Sequence, residues 1–83
     1  MYNIEFDKRA ADLFRKLDKS LQERIGKKIE LLKENPHLGI PLVGNFTGFY
    51  KLRIGDYRVI YKIKNEQLIV LILNVGHRKN IYD

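Results

Sequence analysis

Several residue types are absent or nearly absent from this sequence, and each absence excludes a type of chemistry. There is no cysteine, so no disulfide framework or thiol nucleophile is available, and we expect a reducing, cytoplasmic setting. The one serine, Ser20, has the spacing of a helix capping box with Glu23, and the one threonine is Thr47. Nucleophilic acyl transfer therefore has no natural side chain. No apolar run reaches the roughly 18 residues of a membrane helix, so we expect no membrane association.

Metal and nucleotide chemistry are not indicated either. The two histidines, His37 and His77, are far apart and have no carboxylate at ligand spacing, so we predict no metal site. Two-metal phosphodiester cleavage needs several convergent carboxylates, and residues 42–83 contain only three acidic residues. No glycine-rich loop opens a helix. We expect no cofactor.

Positive charge is concentrated in the second half of the chain. Residues 42–83 contain seven Lys or Arg against three Asp or Glu, whereas residues 1–41 contain nine against seven. A basic half-domain favours a polyanionic partner, with RNA or DNA ahead of a membrane surface. A generic lysine-rich surface is the alternative that charge alone leaves open.

The pattern of apolar residues predicts one α+β domain, residues 1–83, in the order β-α-α-β-β-β. We expect a first strand at 2–6 and two helices, the first capped by Asp7 and the second opened by Ser20, that form a hairpin. An extended connector at 36–48 leads to three strands at about 49–54, 57–64 and 67–77. The helical hairpin should pack on one face of a small, mainly antiparallel sheet.

The segment YKLRIGDYRVIYK, residues 50–62, predicts a β-hairpin with a two-residue turn at Gly55-Asp56. Counting outward from the turn places Arg53 opposite Arg58, two like charges that destabilise each other. Alternation puts five hairpin residues on one open side of the sheet, which we call the basic face: Lys51, Arg53, Arg58, Ile60 and Lys62. A solvating role explains Lys62 well, but it explains the facing arginines less well, because a neutral polar residue would avoid the repulsion.

The basic face suits a phosphodiester. Guanidinium groups can hold its non-bridging oxygens while negative charge builds on phosphorus. Without a metal or a protein nucleophile, the attacking oxygen must come from elsewhere, and RNA carries its own in the ribose 2′-OH. The face is therefore better suited to cleaving RNA than DNA, although binding without cleavage fits the residues equally well.

Two segments, GFYKLRIGDYRVIYKI and VGHRKNIYD, closely resemble the RelE/ParE toxin superfamily, and in particular its RelE-like branch. The resemblance covers nearly the whole chain. It implies a toxin of a toxin–antitoxin pair, a ribosome-dependent endoribonuclease that cuts messenger RNA in the A site. It also implies a RelB-like antitoxin, the ribosome and messenger RNA as partners.

The resemblance assigns the catalytic positions to five residues: Lys51, Arg53, Arg58, Arg78 and Tyr82. It implies that Arg58 stabilises the scissile phosphate and that Tyr82 stacks on or orients the substrate. His77 replaces a lysine of some relatives and is a candidate for proton transfer. Lys62 and Lys79 are candidates for RNA binding.

Strict alternation conflicts with part of this assignment. A turn near residues 65–66 places Arg58 opposite Leu73. His77 then lies on the same side of the sheet as Arg58, whereas Arg78 lies on the other side. A bulge at Gly76 could re-aim the segment.

Two other functions remain open: a ParE-like inhibitor of DNA gyrase that cuts nothing, and a non-catalytic RNA-binding module.

Overall fold

The structure, a computed structural model, describes residues 1–79, in which two helices pack on one face of a five-stranded sheet. The sheet order is β1-β5-β4-β3-β2, and β1 alone runs parallel to its neighbour, β5. The elements are β1 (Asn3–Phe6), α1 (Lys8–Arg15), α2 (Lys19–Glu30), β2 (Ile40–Pro41), β3 (Phe49–Ile54), β4 (Tyr57–Lys64) and β5 (Ile69–His77). The predicted fold class is confirmed, and the two-residue strand β2 is an addition to the predicted order.

The two helices begin at aspartates. Asp7 accepts a hydrogen bond from the Ala10 N–H at 2.8 Å, as predicted. The second helix begins earlier than its predicted capping box, because Asp18 accepts from the Leu21 N–H at 2.9 Å. The prediction that Ser20 caps this helix is therefore wrong. An aspartate satisfies the first free N–H groups of a helix at least as well as a serine does.

The α1–α2 connection is held by one glutamine side chain. The Gln22 amide donates to the carbonyl oxygens of Phe14, Arg15 and Leu17 at 3.0–3.2 Å. These are carbonyls at and just beyond the end of α1, so a side chain of α2 closes the end of the preceding helix. The two helices are therefore tied to each other where they connect.

The core lies between the helices and the sheet face opposite the basic face. Alternate residues of β3, β4 and β5 point into it, and buried residues of α2 meet them. The buried apolar strand residues are Leu52, Ile54, Val59, Tyr61, Val70, Ile72 and Val75. Burying this side of each strand leaves the alternating residues, including the cations, on the other side.

Candidate functional site

The hairpin register agrees with the sequence prediction at every predicted pair. Arg53 lies opposite Arg58 and Lys51 opposite Ile60. Gly55 opens the turn with φ +59°, the conformation that a two-residue turn with glycine in first position requires. The turn therefore sets the register that brings the two arginines face to face.

The register between β4 and β5 differs from the prediction. Arg58 lies opposite Gly76, not Leu73, because Ile60 pairs with Asn74 and Tyr61 with Ile72. Leu73 is the extra residue of a β-bulge, three positions before Gly76, the bulge position that the sequence indicates. One additional residue in a strand reverses the face of the sheet to which each later side chain of that strand points.

Two rows of side chains now cross the basic face. The row nearest the turn consists of Arg53, Arg58 and Gly76, and the next row of Lys51, Ile60 and Asn74. Rows of one face are about 7 Å apart, two residues along a strand. Three cations therefore lie within two adjacent rows, next to a glycine that contributes no side chain.

The two facing arginines differ in burial. Arg53 is exposed, but Arg58 is only 4% exposed, so the prediction that both lie on an open surface is wrong for Arg58. The guanidinium keeps its charge when buried. Because burial lowers the effective dielectric constant, an anion that reaches Arg58 is bound more strongly than one at an exposed arginine.

The bulge also exchanges the predicted positions of His77 and Arg78. His77 lies opposite Tyr57, on the helix side of the sheet, and its ring packs edge-on against Tyr57 at 5.4 Å. The Arg78 N–H donates to the Asp56 carbonyl oxygen at 2.8 Å, which ties Arg78 to the hairpin turn. Alternation then assigns exposed Arg78 to the side of Gly76 and Arg58. The predicted sides of both residues are corrected, and His77 is not brought to the arginines.

Two of the remaining predicted residues, Lys62 and Lys79, are not part of the arginine row. Half-buried Lys62 lies over the Phe49 ring at 5.9 Å, about 13 Å along β4 from Arg58. Lys79 is exposed, and its N–H donates to His77 Nδ1 at 3.2 Å. Tyr82 lies outside the described residues.

The connector is attached to the sheet beside Lys51. The buried Tyr61 hydroxyl donates to the Pro36 carbonyl oxygen at 2.7 Å and accepts from the Gly39 N–H at 2.9 Å. Burial raises the pKa of the Tyr61 phenol, and the hydrogen bond from Gly39 opposes that shift. A Cβ at Gly39 would lie 2.7 Å from this hydroxyl and 2.8 Å from the Lys51 carbonyl oxygen. Glycine is therefore required where the connector passes the strand of Lys51.

Sequence reasoning missed two residues of the site, Asn74 and Gly76. Both enter the basic face through the bulge, which no local pattern in a continuous apolar strand indicates.

Within residues 1–79, no three side chains of His, Cys, Asp or Glu gather into a group that could hold a metal ion. None of the helices in that part of the chain has the length and apolarity needed to cross a bilayer.

The fold and the site define a small α+β protein whose sheet carries a row of cations on the face away from its helices. A family model described as "ParE toxin of type II toxin-antitoxin system, parDE" matches residues 4–82. The chain is 31% identical over 80 residues to the mRNA interferase toxin RelE of Escherichia coli strain K12, covering 94% of this chain and 84% of that protein.

Solved structures of toxin–antitoxin complexes have the same fold. A chain of the RelBE2 complex of Mycobacterium tuberculosis aligns with a TM-score of 0.85 and 30% identity, covering 93% of this chain and 98% of that one. A chain of the intact E. coli RelBE complex aligns with a TM-score of 0.82 and 28% identity, covering 93% and 96%. This chain belongs to the ParE toxin family of type II toxin–antitoxin systems, and within the RelE/ParE superfamily it is a RelE-like toxin. The predicted resemblance is confirmed.

Proposed function

We propose that this toxin is an endoribonuclease that cleaves messenger RNA in the ribosomal A site, without a metal ion. The observation that carries the proposal is the row of Arg53, Arg58 and Gly76, with Lys51 in the next row. Two facing guanidinium groups beside a position without a side chain suit a phosphate that lies between them. The name of the E. coli relative, an mRNA interferase, supports RNA as the substrate.

In the proposed reaction, the ribose 2′-OH attacks the adjacent phosphorus and loses its proton to solvent. The bond from phosphorus to the 5′-oxygen breaks, which leaves a 2′,3′-cyclic phosphate and a 5′-hydroxyl. Arg53 and Arg58 stabilise the charge that develops on the non-bridging oxygens. Lys51 donates a proton to the departing 5′-oxygen. Arg78 adds positive charge beside the turn, and Tyr82 keeps the stacking role that the resemblance implies.

We also propose a RelB-type antitoxin as the partner that restrains this toxin. Two structural relatives are toxin–antitoxin complexes, and this chain covers nearly all of the aligned chain in each. The ribosome is the second proposed partner, because it would position the messenger RNA and bring the 2′-OH into line with its leaving group.

The test is cleavage on ribosomes programmed with a defined messenger RNA. We expect cuts at the A-site codon with 2′,3′-cyclic or 3′-phosphate ends, and no cuts in the same RNA without ribosomes. Arg58→Ala should lower the rate about 10²–10³-fold. Lys64→Ala is the matched control, since Lys64 is an exposed cation at the far end of β4 on the same side. Equal losses in both variants would contradict the proposal.

The second candidate function is inhibition of DNA gyrase, which the description of the matching family model as a ParE toxin favours. It predicts loss of supercoiling activity or gyrase-dependent DNA breaks when the protein is added to purified gyrase. Those effects without RNA cleavage would replace the first proposal. Binding to ribosomes with neither RNA nor DNA breaks would indicate a non-catalytic RNA-binding module.

A further inference from the structure

A groove of about 370 Å³ lies between α1 and the end of β5, next to the arginine row. Strand β1 ends at Phe6, opposite Ile72. Beyond that pair, β5 has a neighbouring strand, β4, on one side only among the described residues. The side chains of α1 occupy the other side, and the groove runs between them and residues 74–77.

The groove carries positive charge without a carboxylate. Arg9 of α1 and Lys16, the C-cap residue of that helix, line it seven residues apart and therefore about 10 Å apart along one side of the helix. Both are exposed, and within residues 1–79 neither forms an ion pair, whereas Asp12 of the same helix pairs with Arg15. None of the described residues that line the groove is Asp or Glu.

The rest of the lining is uncharged: the aliphatic side chains of Leu13, Leu17 and Val75, and groups that suit a nucleotide. Tyr57 and His77 present two rings in edge-to-face contact, and Asn74 lines the groove at the open edge of β5. His77 Nδ1 accepts from the Lys79 N–H, so the neutral ring carries its own proton on Nε2 and can donate it. Aromatic rings beside cations are the usual means of holding single-stranded RNA.

The groove is continuous with the proposed catalytic row through Gly76. This residue lies opposite Arg58 on the basic face and also lines the groove. Because glycine has no side chain, only the backbone of β5 lies at position 76 between Arg58 and the groove. A polyanion bound at Arg58 can therefore pass over the edge of β5 toward Arg9 and Lys16.

We infer that this groove is a second RNA subsite, in which Arg9 and Lys16 bind phosphates of the strand that continues from the scissile step. The inference rests on the proposed RNA-cleaving function. Continuity with Arg58 favours RNA over an acidic protein segment, since successive phosphates supply the charge on both sides of Gly76. Neither cation touches the reacting atoms, so the groove should contribute to binding and not to the chemical step.

The test compares the double variant Arg9→Ala/Lys16→Ala with Lys27→Ala/Lys28→Ala, which removes the same charge from exposed positions on α2. Binding of fluorescein-labelled oligouridylate is measured without ribosomes as salt is varied. We expect the groove variant to bind a long oligouridylate about tenfold more weakly. Its log–log salt slope should become shallower by about 1.4, or about 0.7 for each phosphate that is no longer neutralised. A trinucleotide, which covers only the scissile step, should show a much smaller loss of affinity.

Ribosome-dependent cleavage supplies the second readout. The groove variant should need more toxin for half-maximal cleavage and keep its single-turnover rate at saturation, with thermal melts matching the control. Equal losses of RNA affinity in both double variants, or a loss that does not depend on RNA length, would contradict the proposed subsite. That conclusion would hold even if the wild-type protein cleaves RNA on ribosomes. Weaker binding of oligoglutamate with unchanged RNA binding would assign the groove to an acidic protein segment and overturn the inference. A wild type that binds oligouridylate through the groove and never cuts would refute only the proposed nuclease.

Discussion

Two arginines face each other across β3 and β4, and their burial separates their contributions to stability and activity. Arg58 is buried, so its aliphatic stem is part of the packing of the sheet. Arg53 is exposed and adds charge with little packing. Since each destabilises the other in the free protein, an arginine pair here is more costly than a neutral pair. An anion between them offsets that cost.

Replacing each arginine by alanine should separate the two effects. Both Arg53→Ala and Arg58→Ala should lower cleavage about 10²–10³-fold. Arg58→Ala should also lower the free energy of unfolding by about 1–2 kcal/mol, whereas Arg53→Ala should change it by no more than about 0.5 kcal/mol. Urea titrations and single-turnover cleavage measure the two quantities. Normal cleavage by folded Arg58→Ala protein would show that Arg58 is structural.

Tyr61 makes the stability of the protein depend on pH in the alkaline range. Burial raises the pKa of its phenol, so the folded protein holds this proton at a pH where the unfolded chain, with a tyrosine pKa of about 10, releases it. The folded state then binds more protons than the unfolded state, and stability falls as pH rises above about 10. Below that pH both states are protonated and the contribution is constant.

Tyr61→Phe should be less stable than the wild type by about 1–3 kcal/mol at neutral pH, because Gly39 N–H and the Pro36 carbonyl lose a buried partner. The difference between the two proteins should narrow above about pH 10, since the variant has no proton to lose at this position. Chemical denaturation over a series of pH values measures the difference. A gap that widened above that pH would contradict the assigned direction.

At the scale of elements, the helix ends and the bulge in β5 decide what the flanking segments present. The second helix begins at Asp18, so Ser20 lies inside its first turn. The bulge at Leu73 places Gly76 beside Arg58 and moves His77 to the helix side. A shift of two residues makes Asp18, and not Ser20, the cap of the second helix. One extra residue in β5 places Gly76, and not Leu73, opposite Arg58, although the helix and the strand themselves are as predicted.

The cap of the second helix can be tested directly. Asp18→Ala should lower the free energy of unfolding by about 0.5–2 kcal/mol, because the Leu21 N–H loses its acceptor. Ser20→Ala is the control and should change stability by less than about 0.5 kcal/mol, since alanine is favourable inside a helix. Thermal melts of both variants give the comparison. A larger loss in Ser20→Ala would restore the capping box.

At the scale of the whole molecule, the distribution of charge sets both the proposed chemistry and the approach of a partner. The formal net charge is +6, and the cations of the basic face and the groove lie on two sides of one strand end. The electrostatic field of these positive charges raises the rate at which a polyanion associates, and that rate falls as the salt concentration rises. In the proposed reaction, the cations of the basic face, and not those of the groove, supply the transition-state charge that a metal ion supplies in other nucleases.

The proposed mechanism predicts no dependence on transition metals. Cleavage by preassembled ribosome complexes should be unchanged when Mn²⁺ or Zn²⁺ is added, with Mg²⁺ held constant to keep the ribosome intact. Treatment of the toxin with a chelator before mixing should also have no effect. Rates are followed by primer extension, with Arg58→Ala as the inactive reference. A strict requirement for added Mn²⁺ or Zn²⁺ would contradict the mechanism.

Much of the fold and part of the site follow from local patterns in the sequence. Apolar alternation and the Gly55-Asp56 turn determine β3, β4 and their register, because a two-residue turn leaves no freedom in the pairing. The helical spacing of the apolar residues and the N-cap Asp7 determine the first helix, again through residues close together in the chain. The facing arginines and the RelE-like character could therefore be predicted from residues close together in the chain.

The second strand pairing and the burial of Arg58 were decided by the tertiary structure alone. The register of β5 against β4 includes the extra residue Leu73, and nothing in a continuous apolar run shows where such a residue falls. Packing of Val75 into the core selects the side of each later residue, which brings Gly76 to Arg58 and sends His77 to the groove. Register between distant segments depends on which side chains the core can bury, and only the assembled sheet determines that.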